Sequence, residues 1–139
     1  RHGISASNLA IEITETSFIN NLNTVAAVLK TLRNMGVTIS IDDFGTGFSS
    51  LVYLKQLPLD ELKIDRSFIQ DAMTSEGDRA IIKAILGLAG NLNLQVVAEG
   101  VETGEQQHFL LDEQCVSGQG YLFDHPLPVE EIEKRFAAG

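Results

Sequence analysis

Two adjacent carboxylates, Asp42 and Asp43, close the run Thr38-Ile39-Ser40-Ile41-Asp42-Asp43-Phe44-Gly45-Thr46-Gly47, where an alternating apolar pattern opens into a glycine-containing loop. Paired acids at the end of a strand suit a metal ion. Taken alone they suit a turn or a helix cap better than catalysis. Three other apolar segments end in charge in the same way: Leu9-Ala10-Ile11-Glu12-Ile13-Thr14-Glu15, Leu62-Lys63-Ile64-Asp65 and Val96-Val97-Ala98-Glu99-Gly100-Val101-Glu102. Such repetition gathers the chemistry at one end of a sheet.

The elements that must position these acids follow from periodicity. Leu22, Val25, Ala26, Leu29 and Leu32 recur at helical spacing between an N-cap at Asn20 or Asn21 and a stop at Gly36. Beyond Gly36 the period shortens to two from Val37 to Asp42, which predicts a strand. Ser49 and Ser50 can cap a short helix through Leu51 and Leu54 that ends before Pro58, and residues 61–65 are again extended. Ser75 with Asp78, and Thr103 with Gln106, have the spacing of capping boxes. The first opens a long helix through Ile81, Ile82, Ile85, Leu86, Ala89 and Leu92, followed by a strand from Gln95 to Glu99; the second opens a helix carrying Phe109 and Leu110. A fifth strand is expected over residues 119–123. A last helix runs from Val129 to Phe136, with Glu130 and Glu131 set to pair with Lys134 and Arg135 four residues along.

Strand followed by helix, five times, implies a parallel sheet covered by helices, either doubly wound or a barrel. Side-chain parity favours the barrel. Ile11, Ile13, Ile39, Ile41, Leu62, Ile64, Val96 and Ala98 share the helix-facing side, while Glu12, Ser40, Asp42, Glu61, Lys63, Gln95 and Glu99 take the other. Glu12, Asp42, Lys63 and Glu99 would then point to a common axis at the C-terminal strand ends, where barrel enzymes hold their active sites. The expected fold is α/β, a partial TIM-type (β/α) barrel with about five of eight strand-helix units. A full barrel of this kind takes about 250 residues. With 139 residues and a first residue, Arg1, that is not methionine, the chain is expected to be part of a longer protein.

Composition narrows the partners. The chain is 44% hydrophobic and 21% charged, an ordinary globular balance, and its net charge of −9 opposes binding of long nucleic acid through phosphates. An anionic ligand would need bound cations. Cys115 is alone, which leaves no internal disulfide or thiolate cluster, and His2, His108 and His125 are too scattered to form a ligand pair. No stretch approaches the ~20 apolar residues of a membrane span.

Five ordered blocks resemble one known family. They are Glu12-Ile13-Thr14-Glu15; Asp42-Asp43-Phe44-Gly45-Thr46-Gly47-Phe48-Ser49-Ser50; Lys63-Ile64-Asp65-Arg66-Ser67-Phe68; Ala98-Glu99-Gly100-Val101-Glu102; and Gln119-Gly120-Tyr121-Leu122-Phe123 before Pro126-Leu127-Pro128. In this order they are similar to the C-terminal part of an EAL domain, the bacterial phosphodiesterase module that opens cyclic di-GMP. The likeness spans residues 1–139 as the C-terminal portion of a single EAL domain, with the strands carrying the namesake Glu-Ala-Leu segment and a metal-binding asparagine lying upstream.

The resemblance implies metal-dependent hydrolysis of cyclic di-GMP to linear pGpG with two divalent cations, Mg²⁺ or Mn²⁺, whose hard character suits carboxylates. It implies Glu12, Asp42, Asp43 and Glu99 as metal ligands, with Asp42 bridging, and Asp42, Lys63 and Glu99 as the catalytic group. Gln119, Glu102 and Asp65 would shape the substrate site. Glu15, Phe44, Gly45, Thr46, Gly47, Phe48, Ser49 and Ser50 would form a regulatory loop that couples a homodimer contact to metal binding. An upstream sensor or GGDEF-type domain, in a cytoplasmic part of a larger and membrane-anchored or multidomain protein, fits the same likeness. Departures from the usual pattern are Phe48 for tyrosine, Gln114 where glycine often ends a helix, and Gly118 where an apolar residue is common. Activity is expected of the complete domain, five units alone leaving two raw sheet edges. The competing readings are a catalytically inactive EAL-type cyclic di-GMP receptor or protein-interaction module, and a Schiff-base enzyme using Lys63.

Overall fold

The computed structural model describes residues 3–14, 21–46 and 51–137, the last stretch with side chains from Leu54 onward. Glu15, Asn20, Gly47, Phe48, Ser49 and Ser50, named above as loop or cap residues, lie outside the described residues. Five parallel strands stand side by side in chain order: β1 (Ala10–Thr14), β2 (Thr38–Phe44), β3 (Glu61–Ile64), β4 (Gln95–Glu99) and β5 (Ser117–Gln119). Helices α1 (Leu22–Asn34), α2 (Leu51–Gln56), α3 (Arg66–Asp71) with α4 (Glu76–Asn91), and α5 (Gly104–Asp112) fill the crossovers, and α6 (Val129–Ala137) follows β5. A doubly wound sheet reverses its strand order at a switch point. This sheet does not, and its unbroken 1-2-3-4-5 order is the wall of a partial TIM-type barrel.

Local chemistry accounts for most boundaries. Gly36 adopts φ +97°, the left-handed turn that ends α1 after Met35. Asn21 precedes α1 without a side-chain cap. Thr103 and Gln106 close both halves of a capping box, whereas Ser75 accepts the Asp78 N–H at 3.2 Å as one half only. The helix-facing side of the sheet forms the core: Ile39, Ile41, Leu62 and Ile64 are fully buried against Leu29, Ile69, Ile82 and Ile85. Each such side chain contributes about 1.5–3 kcal/mol of burial. The parity reading therefore holds.

One interruption of that parity matters for the site. From Ile41 to Phe44 β2 advances three residues while its partner β3 advances two, from Leu62 to Ile64. The additional residue is a bulge. Asp43 sits there at φ +53°, a left-handed conformation that aspartate tolerates better than most residues. In a regular strand Asp42 and Asp43 would face opposite sides. With the bulge, Phe44 returns to the core beside Ile64 and the two acids share the other face.

Three expectations change. Helix α3 was not foreseen; Asp65 caps it by accepting the Ser67 N–H at 2.9 Å, so the strand ends at Ile64. The fifth strand is Ser117–Gln119 instead of 119–123, because after Gln119 the chain folds over Val101. Leu122 N donates to Val101 O at 3.0 Å and Phe123 N to Gly120 O at 3.0 Å, a turn whose apolar residues resemble a strand in sequence. In α6, Arg135 pairs with Asp124 outside the helix, leaving Lys134 to Glu131 at 3.0 Å. Among the described residues no helix is long and apolar enough to cross a membrane.

Two substitutions test this frame. Gln114 follows α5 at φ +66°, where a side chain is strained, so Gln114→Gly is expected to raise unfolding free energy by about 0.5–1 kcal/mol in denaturant titration. At Gly120 an added Cβ would stand 2.2 Å from Val101 O and 2.4 Å from Val101 N. Backbone cannot yield as a side chain does, and Gly120→Ala should cost about 2–3 kcal/mol in the same measurement.

Candidate functional site

The ends of four strands meet around the ammonium of Lys63. Parallel register sets Glu12 beside Ser40, Thr14 beside Asp42 and Lys63 beside Val97, two residues before Glu99 on the same face of β4. Lys63 Nζ lies 2.6 Å from Glu99 Oε1, 2.7 Å from Glu12 Oε1 and 3.7 Å from Asp42 Oδ1, with only 7% of its side chain exposed. Burial works against its charge. The hydrogen bonds to Glu12 and Glu99 and the fields of Glu99 and Asp42 outweigh that effect and raise its pKa above the ordinary lysine value. The lysine is held as a cation.

Carboxylate oxygens of Asp42, Asp43 and Glu99 lie within 4.8 Å of one another. Glu12 lies outside that group and joins it through the Lys63 ammonium. Burial raises the pKa of Glu99; Lys63 opposes the shift, and the charges of Asp42 and Glu12 add to it. Gln119 Nε2 donates to Glu99 Oε1 at 3.1 Å and orients it. Asp43 is likewise raised, by burial and then by Asp42 and Asp65, whereas Asp65 is lowered because hydrogen bonds from Ser67 and Asp43 outweigh its burial. Four acids, Glu12, Asp42, Asp43 and Glu99, surround one ammonium. Their uncompensated negative charge and all-oxygen donor set fit hard divalent cations.

A cavity of about 240 Å³ adjoins the acids, bounded by Asp43, Asp65, Arg66, Glu99, Glu102 and Tyr121. It brings together the predicted Asp65, Glu102 and Gln119, and adds Arg66, Gly100 and Tyr121. Arg66 stood inside a quoted block, and Gly100 explains its place: at φ +69°, its missing Cβ would come 2.6 Å from Arg66 Cβ. Tyr121 stood in the last of the five blocks with no role given to it, and its ring stacks on His125 at a centroid distance of 4.1 Å. Of the loop, Phe44 is buried, and Thr46 binds back to Asp43 O through its hydroxyl at 2.9 Å. A larger cleft of about 640 Å³ at the opposite strand ends, near Val96 and Cys115, holds no acid cluster; its Glu113 is neutralised by Lys83 at 2.7 Å.

Acids converging at the C-terminal rim of a parallel barrel wall define a barrel protein with a carboxylate-rich centre. The chain belongs to the EAL domain family, whose profile matches residues 1–126. The cyclic di-GMP phosphodiesterase NbdA of Pseudomonas aeruginosa is 50% identical over 132 residues, covering 95% of this chain and 17% of NbdA. Among solved structures, PaMucR phosphodiesterase in complex with c-di-GMP superposes with a TM-score of 0.90 at 49% identity, covering 95% of this chain and 53% of that one. A manganese and cyclic di-GMP complex of Klebsiella pneumoniae BlrP1 at pH 9.0 gives 0.82 at 36% identity, covering 89% of this chain and 32% of that one. This chain thus spans under a fifth of NbdA and about half of the MucR chain.

Lys63→Met is expected to raise the Glu99 pKa further, since it removes the lowering partner and leaves burial and like charge in place. Carboxyl ¹³C titration by NMR reads this directly. An unmoved Glu99 curve would mean that the pair does not hold in solution.

Proposed function

We propose that residues 1–139 are the C-terminal portion of one EAL domain whose site hydrolyses a phosphodiester bond of cyclic di-GMP, giving linear pGpG. The observation that carries this reading is the cluster of Asp42, Asp43 and Glu99 beside protonated Lys63, within a chain half identical to a cyclic di-GMP phosphodiesterase. Glu12, Asp42, Asp43 and Glu99 would hold Mg²⁺ or Mn²⁺, with a pair of ions as the finer proposal. Bound there, such cations would polarise the phosphate and make water more acidic.

The residues supply the rest. Lys63 presents fixed positive charge to an attacking oxygen, and its preorganisation requires no rearrangement during reaction. Glu99, raised by burial and steadied by Gln119, would accept the proton released by water. Arg66, at the cavity wall, offers a cation for phosphate, while Asp65 and Glu102 border the space for substrate. The hold of Thr46 on Asp43 supports a loop that couples a dimer contact to the acids. A cytoplasmic setting, with upstream sensor or GGDEF-type domains, completes the proposal. Schiff-base chemistry is disfavoured, since a lysine kept protonated is a poor nucleophile.

In the EAL protein that carries this chain, Asp42→Asn should remain folded by circular dichroism and lower cyclic di-GMP turnover by about 100–1,000-fold. Turnover at the parental rate would remove Asp42 from the mechanism. Calorimetric binding by the unaltered protein without turnover in Mg²⁺ or Mn²⁺ would instead support a receptor.

A further inference from the structure

Gln106 closes a capping box, yet its side chain does more than cap. Its Oε1 accepts from the backbone N–H groups of Glu102 at 2.8 Å and Thr103 at 3.0 Å, and its Nε2 donates to the carbonyl of Ile69 at 3.1 Å. The residue is 6% exposed, and its last bond joins positions 37 apart in the chain. A capping glutamine needs only the first end. The other end ties the turn after β4 to the C-terminal part of α3, the helix whose first turn carries Arg66.

Both pieces of backbone border the cavity beside the acids. Asp65 and Arg66 form one part of its wall and Gly100 and Glu102 another, the two meeting where Gly100 approaches Arg66. Val101 N joins the second part to a third by donating to Gln119 O at 3.1 Å. Glu99 itself is held by strand pairing with Gln119 and by its ion pair with Lys63, so loosening the turn would move the cavity wall and leave the acid centre in place. Glu102 has one further hold on α3, from Gln70 Nε2 at 3.5 Å, the outer limit of a hydrogen bond. Gln106 is the stronger link.

We infer that Gln106 is a positioning residue that sets the shape of the substrate cavity by tying the turn after β4 to α3. The inference rests on the reading of that cavity as the cyclic di-GMP site. Its sign in kinetics is specific: a displaced wall weakens substrate binding and raises KM, whereas a merely less stable protein lowers the active fraction and the apparent kcat with KM unchanged.

Gln106→Glu separates the two ends of the side chain. A carboxylate keeps the acceptors for Glu102 and Thr103 and loses the donor for Ile69. Gln106→Met removes both, and its difference from Gln106→Glu calibrates the loss due to capping. In the intact protein, Gln106→Glu is expected to raise KM for cyclic di-GMP about tenfold with kcat within about twofold of the parent. Hydrogen exchange without ligand should show Glu102 and Thr103 still protected and Val101 exchanging faster. An unchanged KM in an active protein, or an unchanged Val101 rate, overturns the inference. A parent that neither binds nor hydrolyses cyclic di-GMP would overturn the proposed function instead, and the exchange measurement would still decide the tie.

Discussion

The structure depends on a buried ammonium that must be matched by acids from other strands. Lys63 on β3 lies between Glu12 of β1, Asp42 of β2 and Glu99 of β4, and none of these neighbours is local in sequence. A cation taken out of water is costly unless paired, and clustered carboxylates repel unless a cation stands among them. Each side therefore needs the other. The pairing is possible only with the observed strand order and register, since a slip of one residue would turn Glu12 or Lys63 toward the apolar helices.

The two faces of the sheet divide the work. The helix-facing side is a close-packed aliphatic layer, and that rigidity fixes the backbone from which the charged side chains project. At the rim, where strands become turns, the chain uses backbone conformations that regular strands avoid. Asp43 in the left-handed region, Gly100 against Arg66 and Gly120 against Val101 all lie within a few residues of the acids. These close approaches bring separate segments to one centre. They also explain why a cavity forms there beside the carboxylates, while the larger cleft at the other strand ends has its charge already neutralised.

Much of this was legible from residue pattern. Period-two alternation at Ile39 and Ile41, helical spacing from Leu22 to Leu32, and the Thr103–Gln106 box each name an element because backbone geometry imposes those periods. Two of the misreadings share one origin. Tyr121, Leu122 and Phe123 form an apolar run like that of a strand, yet Val101 lies across their path and turns them; Arg135 could pair within its helix, yet Asp124 competes for it. Local pattern gives no weight to a neighbour that arrives from elsewhere in the chain.

By itself, the amino-acid sequence determined the parallel strand-helix alternation, the segregation of apolar from charged faces, and the family to which the five blocks belong, because these follow from short-range periodicity and residue order. Only the tertiary structure decided that Asp42 and Asp43 face the same way, that Lys63 is the cation their cluster encloses, and that Gln106 reaches Ile69. A bulge exists only relative to a partner strand, and a buried charge has its partners only after separate strands have been packed together.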